Sequence, residues 1–356
     1  MRGIQFKYIT PYTQGLNFTT QYQFTQNLSL DVGYVASLAR HLEVFPGSNE
    51  SAAILPPNGN FKPFLPFPDF APASSYAATE GSSYYHSLQV KGERRFANGL
   101  NLLVAYTWSK VKSDARDLLN NFAGGYRAPY VPGFGIQGDY GLADFDIRNA
   151  FHFSGGYELP VGRGKTLLSG ASGWANQIVG GWTFNWILSL QDGQPFTVPC
   201  NKTTTAPGNG ANFNGSSGTC YSLFVPGQNP YAGSSVDHYL NPLAFTNPAP
   251  ATTVGQKDFG PLGGAANQLI GPGFHRFDLS LFKNFKTSEK TNLEFRAEFF
   301  NLTNHPNFSL PGFAGNGFTA APGSLNFSSG NFGRITFTRD NPNDPRQIQL
   351  ALKLYW

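Results

Sequence analysis

The chain has 356 residues, of which 13% are charged and 15% aromatic, with 33 Phe, 16 Tyr, 41 Gly and a single Met. Charge at about half the usual share, beside so many rings, excludes an ordinary soluble helical domain. A net charge of +4 spread over scattered basic residues excludes a nucleic-acid surface. No run approaches the roughly 18 apolar residues of a membrane helix, so apolar surface must come from strands in which every second residue is apolar.

Met1 to Tyr12 has no apolar stretch after its basic residue and does not read as an export signal. Period-two alternation then predicts nine strands, at 14–25, 28–38, 83–95, 99–111, 145–160, 179–195, 274–286, 291–303 and 345–356. In the fourth, Leu100, Leu102, Val104, Tyr106 and Trp108 share a face. In the fifth, Phe151, Phe153, Tyr157 and Leu159 oppose His152, Ser154 and Glu158. Trp182, Phe184, Trp186, Leu188 and Leu190 line the sixth. Leu293, Phe295, Ala297 and Phe299 alternate with Glu294, Arg296 and Glu298 in the eighth, a charged back that is sensible only if it is wet. Ile348, Leu350, Leu352, Leu354 and Trp356 line one side of the last strand, with Gln347, Gln349, Lys353 and Tyr355 on the other.

The connections alternate. Short ones fall near 25–27, 96–98, 160–174 and 287–290; long ones cover 39–82, 112–144, 196–273 and 304–344. Barrels of the bacterial outer membrane alternate short periplasmic turns with long external loops in this way. The expected fold is therefore all-β: a partial transmembrane antiparallel β-barrel with long extracellular loops. Those loops are rich in Gly, Pro, Asn and Ser and are expected to hold no helix, with one short strand at 334–339. If the last strand ends in the periplasm, counting back leaves Met1 outside, whereas closed bacterial barrels have even strand numbers. The sequence is expected to be part of a longer barrel.

Several residues invite chemistry. Cys200 and Cys220 bracket a Gly/Asn/Thr/Ser-rich stretch and could close a loop of about 20 residues by a disulfide. Pro160-Val-Gly-Arg-Gly-Lys-Thr166 suggests a phosphate loop, but the position that must be glycine is Leu159 and no helix is expected to follow. It reads as a periplasmic turn. The histidines lack metal-ligand spacing, and no nucleophile motif appears, so neither metal, cofactor nor enzymatic activity is expected. If Phe277 and Phe295 face lipid, then Arg276, Asp278, Glu294, Arg296 and Glu298 face the lumen, where they are expected to pair across strands or touch a solute.

Tyr85 to Lys91, Gly99-Leu100 with Tyr106 to Lys110, Asp144 to Asn149, Tyr157 to Lys165, Gly181 to Asn185, Gln194 to Thr197, Glu298 to Phe308, Phe332 to Thr336 and Arg346 to Leu354 together resemble, in this order, the Oar-like TonB-dependent receptors common in acidobacteria. The resemblance covers nearly the whole chain. It implies a barrel of about 22 strands, filled by an N-terminal plug and driven by TonB. No segment resembles the plug or the N-terminal domains, so 1–356 is expected to be the C-terminal portion of the barrel, meeting TonB only through the part not seen here. Leu350, Leu352, Leu354 and Trp356 resemble the terminal signal read by the barrel-assembly machinery. The expected partners are outer-membrane lipid, that machinery and an unidentified solute: siderophore, oligosaccharide or peptide. A surface-binding or adhesion barrel that transports nothing is the alternative.

Overall fold

A computed structural model describes residues 2–46, 49, 62–70, 75–115, 136, 140–199, 222–233, 235–247, 267–286, 291–312, 324–339 and 345–356. In chain order the strands are β1 (Arg2–Ile4), β2 (Tyr12–Thr25), β3 (Leu28–Val44), β4 (Ser75–Ala97), β5 (Leu100–Ser113), β6 (Gly141–Leu142), β7 (Asn149–Glu158) and β8 (Trp182–Gln191). There follow β9 (Pro195–Phe196), β10 (Leu223–Phe224), β11 (Phe245–Thr246), β12 (Leu269–Ile270), β13 (Phe274–Lys286), β14 (Asn292–Phe300) and β15 (Gln347–Tyr355), with a helix α1 (Gly173–Val179) before β8.

The nine long strands lie side by side in the order β15-β14-β13-β8-β7-β5-β4-β3-β2, every neighbouring pair antiparallel. Each is one of the nine predicted strands. Short β1 and β6 extend the sheet by pairing with β4 and β5.

Register carries the apolar alternation unbroken from strand to strand. Leu352 stands opposite Phe295, Leu281 opposite Phe184, Leu188 opposite Phe153, and Phe153 opposite Val104. The row continues through Tyr106, Val90, Val32 and, beside it, Tyr34 with Phe18. One face is thus apolar across all nine strands. The reverse carries Gln349, Glu298, Ser280, Asn185 and Gly156 in a single row, interrupted elsewhere by Leu103 and Ile187. No second layer covers the apolar face in the described residues: Leu350, Leu352 and Phe18 are 67%, 68% and 69% exposed. Rings and leucines in such numbers are stable there only against a non-aqueous phase.

The two ends of the sheet differ. At one end the connections are tight: Asn98 and Gly99 join β4 to β5 with φ of 52° and 80°, the two positive values that a two-residue hairpin matching strand twist requires. The β7–β8 turn is longer than expected, because α1 occupies 173–179, where the predicted strand would have begun at 179. Seven residues, the first of them Gly173, are too few to show a helical period. The 287–290 turn lies outside the described residues.

At the other end the connections are long, though β3 and β4 run into the predicted 39–82 connection from both sides and shorten it to 45–74. Two of the long connections are better organised than predicted. Phe196, Val198, Leu240, Ala244, Phe245, Leu269 and Phe332 form a buried core with Leu310, Leu325 and Phe327 packed against it. It joins the β8–β13 and β14–β15 connections into one lobe, pinned by the small antiparallel pairs β9–β12 and β10–β11. The strand expected at 334–339 is reduced to a single bridge between Phe308 and Thr338; the segment follows Phe332 of the lobe core and buries Ile335.

Candidate functional site

The polar face of β13 and β14 carries all five predicted lumen charges, and four of them form two ion pairs that run along strands. Arg276 Nε donates to Asp278 at 3.1 Å, and Arg296 Nε donates to Glu294. Residues i and i+2 sit on one face of a strand, close enough to pair directly. Toward β13 the opposing groups are not opposite charges: Arg296 faces Phe282, whose ring lies 4.7 Å below its guanidinium, and Glu298 faces Ser280, whereas toward β15 Glu294 stands opposite Lys353. Asp278 has a further task, accepting the backbone N–H of Asn301 at 2.7 Å where β14 ends. Tyr355 donates to Glu294 at 3.3 Å, tying β15 to the same polar row.

Leu350, Leu352, Leu354 and Trp356 stand together on the apolar side of β15, which is the edge of the sheet. Cys200 and Cys220 lie outside the described residues. The 160–166 turn makes its amides unavailable to a phosphate. Gly162 N–H goes to Leu167, Gly164 N–H to Ser169, and Arg163 N–H to the Asn176 side chain at 2.6 Å. A helix does follow, contrary to expectation, yet it is one of the turn's own partners through Asn176.

Beneath the sheet's tight-turn end, Lys283 breaks the apolar face. Only 1% exposed, it donates to the Gly180 carbonyl at the end of α1 and lies 4.8 Å from the ring centroid of Phe285. Trp182 Nε1 donates to the Ile178 carbonyl at 2.8 Å. Side chains on the apolar face therefore hold α1, filling helix-end carbonyls that would otherwise lack donors.

The loop lobe is latched to the neighbouring β5–β7 connection through Asn267. This residue is 3% exposed with φ of 55°; its side-chain N–H groups reach the Leu142 carbonyl at 2.7 Å and Asp144 at 2.5 Å, and its oxygen accepts from Thr197 Oγ1 at 2.9 Å. Nothing in the sequence pointed to Asn267. Its partners lie 70 to 125 residues away, and only the tolerance of Asn for positive φ is a local signal. On the lobe surface Tyr231 and Tyr239 pack edge to face at 5.5 Å, and both hydroxyls donate to the Ile270 carbonyl at 3.1 Å. Burial pushes the Tyr239 hydroxyl up to about 12, and the neighbouring Tyr231 adds to it. His275 and His305 stack at 4.9 Å, although they are 30 residues apart in sequence, but no group of three metal-binding side chains occurs among the described residues.

The arrangement has three parts: an apolar wall, a polar back, and a packed lobe at one end. Comparison with known proteins bears on it. Residues 1–349 match the family described as an outer membrane beta barrel domain. No curated protein matches the chain. Among solved structures the chain is similar to the outer membrane transporter YddB from Escherichia coli, with a TM-score of 0.46 and 12% identity over 99% of this chain and 33% of that one. It is similar also to the FrpB iron transporter from Neisseria meningitidis, with a TM-score of 0.41 and 11% identity over 100% and 33%. A third is P. aeruginosa FpvA bound to pyoverdines, with a TM-score of 0.39 and 8% identity over 96% and 27%. The chain spans a third or less of the length of these structures.

Proposed function

Since the chain belongs to the outer-membrane β-barrel domain family, we propose that it forms wall and external loops of a TonB-dependent receptor of the Oar-like type, which takes up a solute actively. Its place is the bacterial outer membrane. The observation that carries the reading is the nine-stranded meander with an apolar face, a polar back and a packed lobe at the long-connection end. In a barrel the apolar face meets lipid, the polar back lines the lumen and the long connections face outward. Leu350, Leu352, Leu354 and Trp356 then offer the assembly machinery an exposed apolar edge. The Arg276–Asp278 and Glu294–Arg296 pairs line the lumen as structural pairs, and the lobe makes first contact with the solute. The reading assigns the chain no catalysis and no nucleic-acid partner; the plug and the TonB contact belong to other parts of the receptor.

Two experiments test it. An epitope placed after Gln228, in an exposed lobe turn, is expected to label on intact cells; labelling only after lysis would invert the orientation. A strain lacking the gene is then grown with iron, oligosaccharide or peptide limiting. The transport reading expects a growth defect on one of them, shared by a strain lacking TonB. Equal growth on all three, with loss of surface attachment, would establish the rival non-transporting adhesion barrel, which the separately packed lobe would also suit.

A further inference from the structure

The helix α1 is fastened from the lipid side of the wall. Of the two side chains that hold it, Trp182 stands opposite Lys283 across β8 and β13, and Lys283 stands opposite Phe295 across β13 and β14, all in the apolar rows. Lys283 is covered there by the Gly180 carbonyl and by the rings of Trp182 and Phe285, whose centroids lie 5.6 and 4.8 Å from its ammonium. A lysine on a lipid-facing strand needs such cover, because hydrocarbon offers it neither water nor a counter-charge.

Those two bonds hold the end of α1 but do not account for its being a helix. Its seven residues include no charged group and no buried side chain, and Ser172 before it makes no side-chain cap. A segment so short is not helical in water on its own. Its faces are also inverted. Asn176 looks toward the protein, accepting the Arg163 N–H at 2.6 Å, with Ala175 and Val179 half-buried beside it. Trp174 and Ile178, four residues apart and so on one face, are 78% and 59% exposed. A helix packed on a protein in water turns its largest apolar side chains the other way. Just before it in the chain, Leu167 and Leu168 are 56% and 60% exposed, and Leu168 has φ of 56°, a left-handed conformation that costs a leucine energy. Their turn is closed by the Leu167 N–H on the Pro160 carbonyl at 2.8 Å and the Gly162 N–H on the Leu167 carbonyl at 2.9 Å. The leucines are held out by a built turn.

We propose that Leu167, Leu168, Trp174 and Ile178 form an in-plane anchor, sunk among phospholipid acyl chains in the leaflet at the tight-turn end of the barrel. Continuity identifies the occupant: the apolar rows that fasten α1 are the lipid-facing wall, and α1 carries that surface sideways into the same phase. Unlike the border rings carried by barrel strands, these side chains belong to a connection and point away from the wall. A helix lying in the interface buries its apolar side by about 5–10 Å, and the interface supplies the helical stability that this segment lacks by itself. Four side chains fall short of the roughly 800 Å² that each partner of a stable protein complex buries, so lipid fits the patch better than a protein does. With the long connections facing outward, the leaflet is the periplasmic one.

The test uses the whole protein, purified from outer membranes and placed in phosphatidylcholine nanodiscs. The chain has five tryptophans, so the emission of Trp174 is taken as the difference between the wild type and Trp174→Phe. Phosphatidylcholine brominated on the upper part of its acyl chains is expected to quench that difference by at least about half, the depth of an interfacial helix, and iodide in the buffer to leave it unchanged. Quenching by iodide and not by the brominated lipid would overturn the proposal. A second readout needs no variant. Phosphatidylcholine with a diazirine in its acyl chain, photolysed with the wild type, is expected to leave adducts on the 164–181 peptide as well as on β15, whose exposed leucines are the control. Adducts on β15 alone would overturn the proposal, and this result decides if Trp174→Phe does not assemble. Leu168→Asp with Ile178→Asp should remove the 164–181 adducts at unchanged heat-modifiable gel migration. Adducts there at the wild-type level would count against the anchor.

Discussion

The indole N–H of Trp182 meets the carbonyl of Ile178 at 2.8 Å, so the last turn of α1 is fastened to the first residue of β8. Lys283, one strand over, makes the second fastening at Gly180. Replacing Lys283 by Met keeps the bulk and removes the donor. Leaving the Gly180 carbonyl unfilled is expected to cost about 1–3 kcal/mol, and Trp182→Phe, a single neutral bond, about 1 kcal/mol. Urea midpoints of the detergent-folded barrel, read by its heat-modifiable gel migration, check both. An unchanged midpoint in Lys283→Met would show that α1 is held by something other than these bonds.

Asn267 joins two external connections with one buried side chain. Asn267→Ala is expected to free the lobe from the β5–β7 connection without loosening the sheet. Limited proteolysis on intact cells should cut the 222–247 region faster, at unchanged heat-modifiability. Cleavage at the wild-type rate would mean that the latch is redundant.

A Cβ on Gly193 would collide with the carbonyl of Gly271, beside the β9–β12 pair. Gly193→Ala is expected to cost about 3 kcal/mol in the lobe, at the upper end of ordinary substitutions. Gly227, with φ of 78° and nothing within 4 Å of its Cβ position, is the control. Gly227→Ala is strained by backbone alone, at about 1–2 kcal/mol. Ranking the two by protease resistance of the lobe checks the close approach, and equal effects would refute it.

Tyr239 binds its proton more tightly in the folded lobe, at about 12, than at its ordinary value of 10.0. Its contribution to stability is therefore complete below pH 10 and is lost as pH rises through 12. Absorbance of tyrosinate should show one late-titrating ring, which Tyr239→Phe removes. If the variant lobe loosens between pH 10 and 12 as much as the wild type, the effect belongs to another group.

The wall was legible in the sequence because a strand with one wet and one apolar side writes its period on every second residue, and nine such segments ran long enough to count. Even the Asn98-Gly99 turn announces itself. Elements of two residues, such as β9 and β12, have no period to read. The pairing of Glu294 with Arg296 turned on geometry within a strand, where alternation alone allows either partner. Asn267 and the lobe core escaped for another reason: they are assembled from segments up to about 130 residues apart, so no local window holds both halves of the contacts that join those segments.

The lobe and the wall are stabilised by different solvents. Phe245 and Leu240 are driven together by water, and their association should yield to urea and weaken in the cold as any aqueous core does. Leu352 and Phe18 gain nothing from burial in protein; bilayer thickness and composition set their free energy. A change of growth temperature or lipid supply therefore reaches the two halves of the molecule through separate channels, and the outer lobe can drift in sequence without retuning the part that must match the membrane.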